Sequence, residues 1–257
     1  MKKLIFFLFT ISLFASNQTT IKNIIGSYKY NKYKNLINQT IKPNASLEEI
    51  LTALKENGLI DLFFKSPRVF QTNFKFIHPN PKLDNMILIN TIKNIGYLYF
   101  YPSKIDNNSN IYKISIEMKS DHFIDPLAFT QEIQKYKCKV RNIIKRSTYT
   151  YTIDCSNADL QAYKITPSLE NLSNRVGEYW LDTNGFKKVL IKSAKNDNFH
   201  PYVVFYDRNL NILNIISSNS VKKQLTLNVP GMCKYIKIKD NFSRANIKRG
   251  IFVKGIQ

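Results

Sequence analysis

The stretch FQTNFKFI (residues 70–77), followed by PKLDNMILINTIKNI (81–95), YLYFY (97–101) and IYKISIEM (111–118), decides the fold of this chain. Residues 70–77 alternate in the manner of a strand, with Phe70, Phe74 and Phe76 on one face. Pro81 suits a first helical turn, where its missing N–H costs nothing, and Gly96 suits a C-terminal cap. A helix over 81–95 then carries Leu83, Ile87, Leu88, Ile92 and Ile95. Residues 97–101 form the next strand, and a polar turn at Asp106-Asn107-Asn108-Ser109 leads into another at 111–118. There Tyr112, Ile114, Ile116 and Met118 point one way and Lys113, Ser115 and Glu117 the other. Asp125-Pro126 opens a second helix running to about Lys137, and two strands follow at 139–145 and 148–155. The order is βαββαβ with one strand added, which predicts a ferredoxin-like α+β domain over 67–157. That architecture hosts many unrelated activities and by itself implies none.

Upstream, residues 17–66 read as a helical segment. A Tyr-rich stretch from about Thr20 to Ile41 has loosely helical spacing. A sharper signal follows it: Ser46 with Glu49 three residues on forms a capping box, and Leu47, Ile50, Leu51 and Leu54 form an apolar stripe that Asn57-Gly58 ends. The predicted helix runs from 47 to 57, with its stripe packed into the core. Downstream, residues 158–175, rich in Ser, Asn and Leu, are expected to be a linker. From 176 to 257 the helical period stops and seven short strand-like runs recur, at 178–181, 188–192, 202–206, 212–216, 224–229, 235–239 and 251–254. Short strands separated by turn residues predict an antiparallel β-sandwich. The expected fold class is therefore α+β: an N-terminal helical segment, a ferredoxin-like domain and a C-terminal β-sandwich.

The first sixteen residues have the shape of a secretory signal peptide. Lys2 and Lys3 precede an apolar run from Leu4 to Phe14, and the small residues Ala15 and Ser16 close it. The run is shorter than the roughly 18 to 20 residues that a membrane-spanning helix needs. The expected address is periplasmic, as a soluble exported protein, with secretion or the cell surface as alternatives. The whole chain carries a formal charge of +20; loss of two lysines with the leader would leave about +18, a balance that favours anionic partners. With 44% hydrophobic and 13% aromatic residues the chain can bury sizeable cores, and eight Gly and nine Pro exclude long flexible linkers. The lysines are dispersed, however, and Asn, Lys, Ile and Tyr abound throughout, as a biased genome composition also produces.

Three cysteines in an exported chain invite pairing. If the strands at 139–145 and 148–155 form a hairpin turning at Arg146-Ser147, Cys138 lies opposite Cys155. The same register pairs Val140 with Ile153 and Ile144 with Tyr149, and sets Lys139 against Asp154. This predicts a Cys138–Cys155 disulfide. Cys233 is left over and reads as a buried thiol without an activating base nearby in sequence.

No catalytic motif, cofactor fingerprint or metal-ligand spacing appears. His78, His122 and His200 are scattered, and Asp121-His122 with Asp125 is explained by a strand-to-helix loop. No catalytic, cofactor-binding or metal-binding residue is assigned. Recognition is expected instead from outward aromatics of the sandwich beside lysines: Tyr179 or Trp180, Tyr202, and Tyr206 or its neighbour Phe205, with Lys187 and Lys188. Strand alternation lets only one residue of each adjacent aromatic pair face the core. The expected function is a non-enzymatic binding or scaffold protein of the cell envelope. Its partner would be an envelope protein assembly, or peptidoglycan or another acidic glycan, with peripheral contact to an anionic membrane surface. Two alternatives stand beside it, an enzyme acting on an anionic envelope glycan or peptide, and surface nucleic-acid binding, which only the charge suggests.

Overall fold

The computed structural model describes residues 17–108, 110–173 and 177–257. The expected leader, residues 1–16, lies outside them. The chain divides into two compact units, the first ending at Leu160 and the second running from Gln161 to Gln257. Among the described residues no helix is long and apolar enough to cross a membrane.

The first unit begins with helical residues 17–25 (α1), Ser27–Lys32 (α2) and Lys34–Thr40 (α3). Ile21, Ile24, Tyr30 and Ile37 from these helices are buried. Helix α4 (Leu47–Glu56) has the capping box read from the sequence: Ser46 Oγ accepts from the Glu49 N–H, and Glu49 Oε2 accepts from the Ser46 N–H at 2.7 Å. Its stripe, Ile50, Leu51 and Leu54, is buried.

The α/β portion follows as β1 (Phe63–Ile77), α5 (Pro81–Asn94), β2 (Phe100–Asn108), β3 (Ile111–His122), α6 (Pro126–Gln134), β4 (Lys139–Lys145) and β5 (Tyr149–Asp154). The sheet order is β2-β3-β1-β5-β4. This is the ferredoxin-like arrangement with one strand added, and the added strand is β5, which enters between β1 and β4. Because β5 runs parallel to β1 while the other neighbours are antiparallel, the sheet is mixed. Phe70, Phe74, Phe76, Tyr112, Ile114, Ile116 and Met118 are buried on its helix-covered face, as the alternation requires. Tyr151 of β5 stacks on Phe74 at 5.5 Å and meets Phe129 of α6 at 4.6 Å, so the inserted strand supplies the ring that ties sheet to helix.

Several boundaries move. Strand β1 starts at Phe63, inside the segment expected to be helical, and shifts register between Phe63 and Arg68. Strand β2 starts at Phe100 rather than Tyr97. Gly96 adopts φ +102° and the Tyr97 N–H donates back to Ile92 O at 3.1 Å, so Tyr97 belongs to the cap of α5. The expected polar turn is also shorter, since β2 continues to Asn108, opposite Ile111.

Cys138 and Cys155 are bonded, with Cα atoms 4.4 Å apart, beside the predicted pairs Lys139–Asp154 and Val140–Ile153. Beyond Val140 the register slips by one: Ile144 faces Thr150, and Lys145 faces Tyr149. The cause is a bulge at Arg141. It aims the guanidinium at Asp154 Oδ2, with Nη2 at 2.6 Å and Nε at 3.2 Å.

The second unit is a sandwich of two sheets. One has the order β11-β10-β13-β8-β6 and the other β12-β9-β14-β7. Its strands are β6 (Tyr163–Lys164), β7 (Glu170–Leu172), β8 (Glu178–Asp182), β9 (Lys188–Ser193), β10 (Pro201–Tyr206), β11 (Ile212–Ser217), β12 (Gln224–Asn228), β13 (Tyr235–Asp240) and β14 (Ile251–Ile256). The seven expected runs are all strands. Residues 158–175, expected to be a linker, instead contribute β6 and β7, which pair with β8 and β14, and Ile165 is buried in the core. Among the described residues of this unit the strand pairs are antiparallel except β6 with β8. Tyr179, Leu181, Val203, Phe205, Ile236 and Ile238 from the first sheet interdigitate with Val189, Ile191, Leu227, Ile251 and Val253 from the second. Burying each large side chain contributes about 2 kcal/mol, which holds the sheets face to face.

Candidate functional site

The packing of those inward residues dictates what their neighbours do. With Tyr179 and Leu181 in the core, Glu178 and Trp180 face outward on β8. On β13, Ile236 and Ile238 point in and Lys237 and Lys239 out; on β10, Val203 and Phe205 point in and Tyr202 and Tyr206 out. The registers place Trp180 opposite Lys237 and Lys237 opposite Val204, in one row. In the next row Glu178 is opposite Lys239, which is opposite Tyr202. Three aromatic residues, two lysines and a glutamate therefore occupy one sheet face.

Their side chains are tied together. Trp180 stacks on Tyr206, centroids 5.4 Å apart and planes 26° apart. The Lys237 ammonium lies 5.1 Å from the Trp180 ring centre and 2.8 Å from Glu178 Oε1, while Trp180 Nε1 donates to that same oxygen at 3.0 Å. Lys239 Nζ sits 4.4 Å from the centre of the Tyr202 ring. Burial pushes the Glu178 carboxyl up, and Lys237, helped by the indole N–H, outweighs it, so Glu178 is held below the usual carboxylate range. The Tyr206 hydroxyl is raised, first by burial and then by Tyr202 and Glu178. The result is a half-buried aromatic surface with ammonium groups held beside its rings. Flat rings offer stacking faces to sugar rings or planar groups, and lysines offer point charges to carboxylates or phosphates.

Of the residues expected to take part, Trp180, Tyr202 and Tyr206 come together here. Tyr179 does not: it is a core residue whose hydroxyl donates to Ile247 O at 2.8 Å. Lys187 and Lys188 do not join the surface either. Lys188 opens β9 in the other sheet, opposite Asn228 and Ile256, and Lys187 uses its carbonyl to accept from the Val229 N–H. Sequence reasoning missed Glu178, Lys237 and Lys239. The alternation in Tyr235-Ile236-Lys237-Ile238-Lys239 puts both lysines on one face, but the strand order that sets them between β8 and β10 leaves no mark in the sequence.

The groups around His122, Asp125 and Asp240 are accounted for by local hydrogen bonds. Asp121 Oδ1 and Ser120 Oγ both contact His122 Nδ1, at 2.6 and 3.2 Å; a catalytic relay needs serine and carboxylate on opposite ring nitrogens. Asp125 caps α6 through the Leu127 N–H and pairs with Lys55. Asp240 accepts from the N–H groups of His200, Phe242 and Ser243; burial raises its carboxyl, and these donors outweigh it and hold it low. Burial pushes the Cys233 thiol up to about 11, the opposite of nucleophile activation. Among the described residues no group of three or more His, Cys, Asp or Glu is placed to hold a metal ion.

No family model matches the chain. No curated protein matches it in sequence. Among solved structures it is weakly similar to the secreted serine protease VesC from Vibrio cholerae, at 10% identity and a TM-score of 0.24, over 74% of this chain and 47% of that one. The matched region spans about half of the protease, and a likeness of this size carries no argument about activity.

Proposed function

We propose that this chain is an exported, basic, non-enzymatic binding protein of the cell envelope, and that the outer face of β8, β13 and β10 docks it to a glycan bearing anionic groups, such as peptidoglycan. The observation that carries this reading is the joint presentation of Trp180, Tyr202 and Tyr206 with Lys237 and Lys239 on one sheet face. Stacking surfaces with adjacent ammonium groups match a polymer that alternates sugar faces with carboxylates. The shape of residues 1–16 supports export to the periplasm. The Cys138–Cys155 disulfide supports it as well, since such bonds persist in oxidising compartments.

Co-sedimentation of the mature protein with isolated peptidoglycan, before and after enzymatic digestion of the glycan, tests the reading. Retention on the intact polymer should disappear on digestion and fall at least tenfold when Trp180 and Tyr206 are both replaced by Ala. Absence of retention would overturn it, as would retention that the double variant leaves unchanged.

A further inference from the structure

The five-stranded sheet of the first unit carries a second polar constellation, on the face turned away from α5 and α6. Two adjacent cross-strand rows define it. One runs Lys104 (β2), Ser115 (β3), Asn73 (β1) and Thr150 (β5); the other runs Asp106, Lys113, Lys75 and Thr152 on the same four strands. All of these residues except Thr152 line a cleft of about 240 Å³.

Three lysines, Lys75, Lys104 and Lys113, line this cleft, with Asp106 as its one carboxylate. Lys75 and Lys113 stand directly opposite one another on neighbouring strands, where like charges oppose folding. Asp106 answers only Lys113, at 3.5 Å, and both side chains are about half exposed. Neither Lys75 nor Lys104 has an ion-pair partner among the described residues. Other cations of this unit are matched: Lys29 with Asp61, Lys55 with Asp125, Lys137 with Asp159 and Arg141 with Asp154.

Neutral groups complete the cleft and are oriented by their own hydrogen bonds. Asn73 Oδ1 accepts from Gln71 Nε2 at 2.7 Å and from Ser115 Oγ at 2.8 Å. That fixes the carboxamide so that Nδ2 donates to Thr150 Oγ1 at 3.5 Å. Thr150 thus receives a hydrogen bond and keeps its own proton to give. The cleft offers one hydroxyl donor, and lysines from three neighbouring strands line it.

We propose that this cleft is a phosphate-binding site. Donors reaching it from β1, β2, β3 and β5 approach from four separate strands, which suits the tetrahedrally arranged oxygens of a phosphate better than the coplanar pair of a carboxylate. An anion between Lys75 and Lys113 converts their repulsion into two favourable contacts. The site belongs to the α/β portion and does not depend on the aromatic face of the sandwich. Free phosphate and a phosphate carried on a polyol share this chemistry.

The test is a titration of the isotopically labelled mature protein at low ionic strength with inorganic phosphate and, separately, glycerol phosphate, followed by amide NMR and thermal unfolding. Amides of Lys75, Lys113 and Thr150 should shift together on one saturating curve, and phosphate should raise the unfolding temperature more than chloride at equal ionic strength. Lys75→Gln and Lys113→Gln should each weaken binding at least tenfold and, without phosphate, should unfold no earlier than the parent. Asp106→Asn should tighten binding about threefold. Tighter binding of glycerol phosphate assigns the carried form, and tighter binding of inorganic phosphate the free ion. Shifts scattered over the surface would overturn the proposal, as would a stabilisation that chloride reproduces or affinities unchanged in both lysine variants. The wild-type shift map stands as a test even if a variant fails to fold.

Discussion

Trp180 of β8 and Tyr206 of β10 stack on one another although β13 lies between their strands, with ring centroids 5.4 Å apart. The contact joins two separate side chains face to face, Lys237 lies over the indole ring, and Glu178 holds the indole N–H from its edge. Trp180→Leu should therefore weaken binding to peptidoglycan about two- to tenfold, since loss of aromatic stacking removes about 0.5–1.5 kcal/mol. The variant also loses the intramolecular stack on Tyr206 and the hydrogen bond to Glu178, so unfolding free energy should fall by about 1–2 kcal/mol. Co-sedimentation and urea unfolding on the same preparation separate the two effects.

The Cys138–Cys155 bond closes the β4–β5 hairpin across a sequence separation of 17. Chain-entropy reasoning gives such a closure about 3 kcal/mol of stability. The double variant Cys138→Ser, Cys155→Ser should lose that amount in denaturant unfolding. Reductant should cause the same loss in the parent and none in the variant.

Asp84 lies buried in the first turn of α5, where Oδ2 accepts from the Asn80 N–H at 2.8 Å. Burial raises its carboxyl to about 7, with that hydrogen bond pulling the other way. A carboxyl raised on folding holds its proton longer in the native state than in the unfolded chain. Its contribution is thus complete below pH of about 4, declines as pH rises, and is lost above about 7. Asp84→Asn keeps an oxygen for the Asn80 N–H and should flatten this decline. The expected gain at pH 8 is at most about 4 kcal/mol, with no gain at pH 4, as measured by urea unfolding at both values.

Arg141, placed by the bulge in β4, holds the Asp154 carboxyl at about 2; burial opposes it and the Ser156 donors assist. A carboxyl depressed on folding contributes stability above pH of about 4 and loses it as pH falls through about 2. Arg141→Gln should cost about 1–2 kcal/mol at pH 7, a range that allows for the half-exposed guanidinium. The two proteins should converge towards pH 2.

The parts of this fold that follow from local rules were legible in the sequence. Ser46 and Glu49 announce α4, Pro81 and Pro126 open α5 and α6, and the alternation of Tyr112 to Met118 gives both the strand and its buried face. Features set by distant pairing were not. Nothing local tells β5 to enter beside β1, because Tyr151 and Ile153 would read the same at a sheet edge. The bulge at Arg141 became visible only through its partner strand, and β6 and β7 are too short to show a period. The aromatic face was legible by half. Alternation separates Trp180 from Tyr179 and Tyr206 from Phe205, whereas the meeting of Lys237 with Trp180 depends on a strand order that only the folded chain displays.

Trp180 is the only tryptophan in the chain, so its emission reports directly on the proposed docking face. Titrating soluble peptidoglycan fragments into the mature protein should give a saturable change in that emission. The apparent Kd should rise at least tenfold in Lys237→Gln, Lys239→Gln, and rise with salt as an ionic contribution requires. An emission that fragments leave unchanged at saturating concentration, or a Kd that the double lysine variant does not alter, would contradict a glycan-binding role for this face.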